Sequence, residues 1–463
     1  MSRSRQWPRR ARTSGAAEVA VAAAAAIAAA AGCGSVAAPA QPDGGAVDAS
    51  PLGLVRVLVL STTGDGQPDP SATVVVQAPD GSVIADAAVA ADGTAQAMIP
   101  PGAQVSAIRL PTDTATTLDA QVTTITGVRP GDALVFGLRA APAPTTVGGQ
   151  TTMSASFSPA TGASRYNFFT PCGLSIATAT PATLTFRDGC HGAAFDLLAT
   201  TVAAGVPMFL KVAAVNYQSG GAFAIPATFA PMDTFTVHLT NTPDAIGTLA
   251  VTRASMVGHL PIASTTVTPA GDPPAGAVDV ALSYPQGFGT RSELSVLIGR
   301  PDATISQRHD AHTASLLASA TVDLGAHRLP WLTDLAQTAT GARWTQVAAG
   351  DAPDGQLLTW RGRWTDGARA VQVAWNVVGP AAPTASLPRL PARWARVDPG
   401  QQPGQVVPAG VTLYLADYDV LDGYDALRQM PETLLTTTPG TLGAFVGMPF
   451  ERRISVASAD VIQ

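Results

Sequence analysis

The sequence predicts an all-β protein built from consecutive antiparallel β-sandwich domains. Charged residues make up only 13% of the chain, against roughly 25% in an average soluble domain. Short runs of apolar and β-branched residues recur at about ten-residue spacing, and Gly- and Pro-containing turns separate them. At 463 residues the chain is also too long for one hydrophobic core, because single cores stop growing at about 250 to 300 residues.

The first folded segment is predicted to begin at Leu54 and to contain five short strands. Apolar and β-branched runs predict these strands at 54–60, 72–77, 83–89, 95–99 and 104–110. Two Asp-Gly turns separate the second, third and fourth strands, and their glycines, Gly81 and Gly93, supply the positive φ that a tight hairpin turn needs. These features predict a compact β-module near the N-terminus.

This order of strands and turns resembles the carboxypeptidase regulatory-like family and related bacterial Ig-like modules. The resemblance is carried by a β-branched run, two Asp-Gly turns, a Pro-Gly turn and a final strand, in the segment SATVVVQAPDGSVIADAAVAADGTAQAMIPPGAQVSAIRL. It covers residues 54 to about 140. The resemblance implies a prealbumin-like β-sandwich that acts as a spacer or accessory domain and has no catalytic residues.

The N-terminal residues have the order of a secretory signal. An Arg-rich start precedes an uncharged apolar run at 19–31, and small residues surround Cys33. This run is shorter than the roughly 20 residues that a membrane-spanning helix needs. The segment from Ala30 to Cys33, AAGC, resembles the bacterial lipobox, which implies cleavage before Cys33 and acyl chains that anchor this cysteine in a membrane. The alternative is an ordinary cleaved signal in which Cys33 has no role.

The other two cysteines are predicted to form a disulfide. If Cys33 is lipidated, Cys172 and Cys190 remain as an even pair in an exported protein, where disulfides persist. Two free buried thiols are the alternative. A metal site is a weaker hypothesis, because His191 beside Cys190 lacks the paired spacing of zinc ligands.

Tryptophans mark the C-terminal region, since six of the seven lie between Trp331 and Trp394. Trp360 and Trp364 are predicted to share one face of a strand, because residues separated by an even number of positions point to the same face of a strand. Both rings could form a platform for a planar ligand such as a sugar, but a buried core is the favoured interpretation. A single short helix is predicted at 422–434, with Asp422 as its cap and Asp425 in its first turn.

His309 and His312 are the best candidates for a metal or catalytic site. Two histidines three residues apart can share one face of a helix turn, and with Asp310 they offer zinc ligands. The HExxH pattern is not present, however, and a polar loop at 301–314 explains the run equally well. The sequence also has no nucleophile elbow, P-loop or dinucleotide fingerprint. No catalytic residue and no cofactor are therefore predicted.

These observations predict five segments and an envelope location. The segments are a signal peptide at 1–32, a lipidated cysteine with a flexible linker at 33–51, the carboxypeptidase regulatory-like module at 52–141, a disulfide-containing β-sandwich at 142–246 and a Trp-rich β domain at 247–463. A net charge of −6 and the absence of a basic stripe argue against nucleic-acid binding. In bacterial lipoproteins, the residue after the lipidated cysteine determines retention in the inner membrane, and Gly34 does not match the retention signals. The resemblance to lipoproteins therefore implies the outer membrane.

The sequence favours a lipoprotein that acts as a structural or binding module, either in the periplasm or at the cell surface. A polysaccharide or an envelope protein is the expected partner, in addition to the membrane that holds the lipid anchor. The alternative is an envelope hydrolase or carbohydrate-binding protein with its site in the Trp-rich region.

Overall fold

The computed structural model describes most of the chain after residue 51. The described residues are 52–61, 66–137, 150–170, 173–187, 194–244, 246–257, 260–269, 275–301, 304–313, 317–325, 328–347, 350–402, 404–431 and 450–459. The signal and the linker, including Cys33, therefore lie outside the described residues.

The all-β prediction is confirmed. The strands, numbered along the chain, are β1 (Gly53–Val59), β2 (Thr73–Gln77), β3 (Val83–Ala88), β4 (Thr94–Ile99), β5 (Ala103–Asp113), β6 (Thr117–Val128), β7 (Ala133–Phe136), β8 (Gln150–Ser156), β9 (Tyr166–Thr170), β10 (Gly173–Ala177), β11 (Ala182–Arg187), β12 (Ala194–Ala203), β13 (Val206–Asn216), β14 (Ala222–Ala224), β15 (Ala230–Pro231), β16 (Asp233–Thr242), β17 (Thr248–Val257), β18 (Leu260–Val267), β19 (Gly276–Tyr284), β20 (Arg291–Gly299), β21 (Ile305–Thr313), β22 (Ser319–Asp323), β23 (Trp331–Thr338), β24 (Gly341–Val347), β25 (Gly355–Asp366), β26 (Arg369–Gly379), β27 (Thr384–Ser386), β28 (Val407–Tyr418) and β29 (Phe450–Ala459).

The helical content is small in the part of the chain that the structure describes. It comprises a one-turn helix, α1 (Tyr424–Leu427), and two 3₁₀ turns at Ala392–Val397 and Pro399–Gln401. The predicted cap of α1 was wrong, because Gly423 and not Asp422 precedes the first helical residue. Asp425 does lie in the first turn, as predicted.

The N-terminal module packs a three-stranded sheet, β4-β1-β7, against the first strands of a much larger sheet. Alternate residues Val55, Val57 and Val59 of β1 point into the core between the two sheets. Gly81 and Gly93 have φ values of 85° and 77°. The Gly81 turn joins the paired strands β2 and β3, which confirms the predicted hairpin, whereas the Gly93 turn joins β3 to β4, which lie in different sheets.

The middle of the chain forms its own sandwich from a five-stranded sheet, β10-β9-β12-β13-β15, and a three-stranded sheet, β11-β8-β14. Buried aromatic rings fill the space between these sheets, among them Phe157, Tyr166, Phe168, Phe186 and Phe195. Tyr166 and Phe168, which precede Cys172 in the sequence, therefore belong to a hydrophobic core.

A twelve-stranded sheet joins the two ends of the chain. Its order is β18-β17-β20-β21-β29-β28-β25-β26-β6-β5-β2-β3. The two parts meet where β6 pairs in parallel with β26, from Thr117 opposite Ala370 to Ile125 opposite Val378. The sequence analysis did not predict β6, so this junction was missed.

Strand pairing also crosses the other predicted boundary. β16 precedes residue 246, yet both of its neighbours, β19 and β22, follow that residue. Pairing between strands does not establish which segments fold on their own, so the division of the chain at 141 and 246 stays a prediction.

The Trp-rich region is a core, which confirms the favoured interpretation. Trp360 and Trp375 have no exposed surface, and Trp364 is 4% exposed. The indole N–H of Trp360 donates to the Thr338 carbonyl at 3.0 Å, and that of Trp375 donates to Thr124 Oγ1 at 3.0 Å. Burial of the polar edge of the Trp360 and Trp375 rings is thus compensated by a hydrogen bond, whereas the indole nitrogen of Trp364 has no partner among the described residues.

Candidate functional site

Among the predicted site residues, the structure brings His309 and His312 to one cavity, which Asp419 and Glu451 also line, and it gives the others no shared site within the described residues. Cys33, Cys172 and Cys190 lie outside the described residues. Trp360 and Trp364 are buried, so neither ring offers the open face that a ligand platform needs. No helix among the described residues is long and apolar enough to cross a membrane.

The two histidines lie on a strand and not on a helix turn or a loop. His309 and His312 both belong to β21, where residues three apart point to opposite faces of the sheet. His312 stacks on Phe450, with ring centroids 5.4 Å apart. Within the described ranges, no group of three or more His, Cys, Asp or Glu side chains is arranged to hold a metal ion. The proposed metal site gains no geometric support.

Polar side chains nevertheless concentrate around β21, on both faces of the sheet. On one face, Asp310 accepts hydrogen bonds at 3.0 and 2.6 Å from Nε and Nη2 of Arg452, and at 2.9 Å from Nε of Arg308. Ser295 Oγ donates to the second carboxylate oxygen at 2.6 Å. We call Asp310, Arg308, Arg452, Ser295 and the adjacent Glu293 the buried ion cluster.

Glu293 is the unusual member of the buried ion cluster. It lies opposite His312 across the β20–β21 pairing, and its Oε1 has no hydrogen-bond partner among the described residues. Burial, together with the nearby charge of Asp310, raises the pKa of Glu293 from 4.5 to about 7. Desolvation penalises the carboxylate more than the neighbouring arginines stabilise it.

The opposite face of the same strands forms the floor of a cavity of about 110 Å³. Four residues lie in a row on this floor, because the register places Arg253 opposite Leu294, Leu294 opposite Ala311, and Ala311 opposite Glu451. Phe235 of β16 and Val322 of β22 cover the cavity from the second sheet. We call this cavity the Arg253 pocket.

Arg253 is buried at one end of the pocket, with only 3% of its surface exposed. Its guanidinium lies 4.8 Å from the ring centroid of Phe235 and 4.3 Å from that of Tyr284. Nη1 is 3.4 Å from Ser255 Oγ, while Nε and Nη2 have no hydrogen-bond partner among the described residues. Burial lowers the pKa of this guanidinium, which is the expected response of a desolvated cation.

Carboxylates lie at the other end of the pocket. Glu451, whose side chain is 45% exposed, is 3.9 Å from Nε2 of His309, and Asp419 lies beside it. Burial, with a contribution from the charge of Glu451, raises the pKa of Asp419 to about 6. The pocket therefore has a buried cation at one end, an apolar middle and an acidic mouth.

The sequence analysis missed Arg253. The signal that could have found it is an arginine within TLAVTRASMV, the otherwise uncharged β17 segment. One face of an antiparallel sheet can be exposed to water, so the sequence marks this charge as a candidate without fixing its burial. The pocket could not be found from the sequence, because Phe235 and Glu451 come from distant strands.

Comparisons with known proteins give no family. No protein-family model matches the chain, and no curated protein matches it. Weak structural similarity is found to the TIE protein of Bacillus anthracis, with 10% identity over 59% of this chain and 49% of that chain at a TM-score of 0.15. The matched part thus spans about half of the Bacillus protein.

Two further solved structures show similarity of the same strength. Two B repeat units of the collagen-binding protein of Staphylococcus aureus match with 8% identity over 71% of this chain and 99% of that chain, at a TM-score of 0.11. The pilus adhesin SpaC of Lactobacillus rhamnosus GG matches with 10% identity over 72% of this chain and 44% of that chain, at a TM-score of 0.13. At these TM-scores the similarities carry no argument about function.

Proposed function

We propose that the chain is an envelope lipoprotein that acts as a structural or binding module. The observation that carries this proposal is the order of the N-terminal segments. A lipobox-like AAGC ending at Cys33 is followed by a linker rich in Ala, Pro and Gly, and β1 begins only at Gly53. This arrangement suits a folded body that a flexible tether holds at a membrane.

The twelve-stranded sheet supports the same proposal. Because β6 pairs with β26, backbone hydrogen bonds join the N-terminal module to the C-terminal strands. A body held together in this way suits a module that binds or spaces other envelope components. The proposed partners are the outer membrane, through the lipid, and an envelope protein or polysaccharide.

The lipid anchor is tested by substituting Cys33. Wild-type protein should partition into the detergent phase, and intact-mass measurement should show acyl chains on Cys33. The Cys33→Ser variant should stay in the aqueous phase or keep its signal, whereas Cys172→Ser should partition like wild type. An unmodified Cys33 in mature protein from the envelope would refute the anchor.

We also propose the disulfide between Cys172 and Cys190. The described strands around the two cysteines end at the same side of the middle sandwich. Thr170 pairs with Gly173 across the β9–β10 hairpin, and the N–H of Thr185 in β11 donates to Ser175 Oγ at 3.1 Å. The end of β11, which precedes Cys190 in the sequence, therefore lies near the pairing of β9 with β10, the two strands that flank Cys172 in the sequence.

A bond between these cysteines should stabilise the middle sandwich by about 3 kcal/mol through the unfolded chain. Peptide mapping without reductant should recover the linked pair, and reduction should lower the melting temperature of the wild type but not of a Cys172→Ser/Cys190→Ser variant. Two alkylated thiols in protein taken from the periplasm would contradict the bond.

A further inference from the structure

We propose that the Arg253 pocket binds a short-chain monocarboxylate, with the carboxylate on Arg253 and the hydrocarbon chain over the apolar floor. This inference goes beyond the proposed envelope role, since it depends neither on the lipid anchor nor on a protein partner. It rests on the two nitrogens of Arg253 that have no partner within the part of the chain that the structure describes, on the composition of the cavity walls and on the charge at its mouth.

The two nitrogens indicate the ligand's charged group. Nε and Nη2, which have no partner among the described residues, form one edge of the guanidinium. Their two N–H bonds run parallel and match the two oxygens of a carboxylate, so that one ligand satisfies both donors. A buried cation without such a partner is costly, and a carboxylate would remove this cost.

The cavity walls indicate the rest of the ligand. Between Arg253 and the mouth, the floor is formed by Leu294 and Ala311, and Leu317 and Val322 lie among the other apolar lining residues. A cavity of about 110 Å³ holds only a few groups the size of a water molecule. A carboxylate with a chain of two or three further carbons fits both the volume and the apolar surface.

The mouth indicates what the pocket rejects. Glu451 and Asp419 line its acidic end, about three strand spacings from Arg253 along the row on the floor. A ligand with a second negative group would place that group near these carboxylates, and like charges at short range repel. The pocket should therefore prefer butyrate to succinate, which has the same number of carbons and one more carboxylate.

The test is a titration of the mature chain with butyrate, followed by calorimetry and by thermal melting. Butyrate should bind saturably and raise the melting temperature, because a ligand of the folded state alone stabilises it. Succinate and butan-1-ol, at matched ionic strength, should do neither. Absence of saturable butyrate binding, or equal binding of succinate, would overturn the proposal.

Two arginine variants test whether butyrate binds at Arg253. Arg253→Lys keeps the charge but loses the parallel pair of donors, so butyrate should bind at least about tenfold more weakly. Arg393→Lys is the matched control, because Arg393 is 51% exposed and pairs with Asp86, away from the pocket. Butyrate binding that survives in Arg253→Lys at wild-type strength would exclude the assigned site.

A spectroscopic measurement on the wild type removes any dependence on how the variant folds. In the nitrogen-15 spectrum of arginine-labelled protein, the Nε–H resonance of Arg253 should move when butyrate is added, because the carboxylate accepts from this donor, and that of the exposed Arg393 should not. An Arg253 resonance that stays in place throughout the butyrate titration would contradict the proposal.

Discussion

Two buried arginines on opposite faces of the twelve-stranded sheet have opposite surroundings. Arg452 has no exposed surface and contacts Asp310 through Nε and Nη2, at 3.0 and 2.6 Å. Arg253 is 3% exposed, and the same two nitrogens have no partner among the described residues. The two residues lie on β29 and β17, separated by β20 and β21.

The charge of Arg452 therefore has a structural role, whereas the charge of Arg253 is available to a ligand. Arg452 and Asp310 compensate each other's desolvation, so removing either leaves a buried charge with fewer partners. Arg253 has aromatic rings beside it but no carboxylate at its paired donors, and rings supply only about 0.5 to 2 kcal/mol. The folded chain thus tolerates Arg253, whereas it depends on Arg452.

The largest expected effect is that of Arg452→Met. This variant keeps the side-chain volume but leaves Asp310 buried with only Arg308 and Ser295 as described partners. Loss of one member of a buried pair costs about 3 to 5 kcal/mol. Urea denaturation should therefore show a lower midpoint with an unchanged slope.

The control is Arg393→Met. Arg393 also pairs with a carboxylate, that of Asp86, but its side chain is 51% exposed, so the expected cost is about 1 kcal/mol or less. If Arg452→Met were as mild as this control, the buried ion cluster would not be the structural element that its geometry indicates.

Most strands could be predicted from the sequence, because turn residues and β-branched runs are local signals. β6 was missed although its sequence carries a local signal, because Leu118, Ala120 and Val122 alternate with polar residues as in a half-buried strand. β21 was not predicted, because Arg308-His309-Asp310 is typical of a loop. β21 lies in the interior of the twelve-stranded sheet, where neighbouring strands and not local propensity decide the conformation.

The candidate site could not be predicted, for a different physical reason. The buried ion cluster and the Arg253 pocket bring together residues of β17, β20, β21 and β29, which are far apart in the chain. Only the pairing register places Arg253 and Glu451 in one row. The spacing of His309 and His312 suggested that they share one face of a helix turn, but both lie on a strand, where residues three apart point to opposite faces.

The second prediction concerns the pH dependence of the buried ion cluster. The pKa of Glu293 is raised from 4.5 to about 7 in the folded state, so the folded chain holds this proton more tightly than the unfolded chain. The resulting stability is present below about pH 4.5 and is lost as the pH rises to about 7, by a total of about 3 kcal/mol at 1.36 kcal/mol per pKa unit.

Glu293→Gln tests this dependence, because the amide imitates the protonated acid and does not titrate. Wild type should lose stability relative to Glu293→Gln when the pH rises from about 5 to about 8, as followed by urea denaturation at each pH. Asp419 titrates in both proteins, so the difference between their unfolding free energies at each pH reports on Glu293. A stability curve of Glu293→Gln that runs parallel to that of wild type over this pH range would contradict the raised pKa of Glu293.

The smallest expected effect on stability is that of Arg253→Met, and it decides the comparison of the two arginines. Met fills similar volume and removes a desolvated cation whose Nε and Nη2 have no described partner. Removal of the desolvation cost stabilises the folded chain, whereas loss of the contacts to Phe235 and Tyr284 destabilises it by only about 0.5 to 2 kcal/mol. The unfolding free energy should therefore fall by less than about 1 kcal/mol or not at all, in contrast to Arg452→Met.

Urea denaturation of both methionine variants, with and without butyrate, measures the contrast directly. Butyrate should stabilise wild type and Arg452→Met but not Arg253→Met, since the ligand stabilises only a folded state that binds it. A loss in Arg253→Met as large as in Arg452→Met would mean that the fold depends on both charges alike. The two faces of the sheet would then not differ in the way that the contacts of Arg452 and Arg253 indicate.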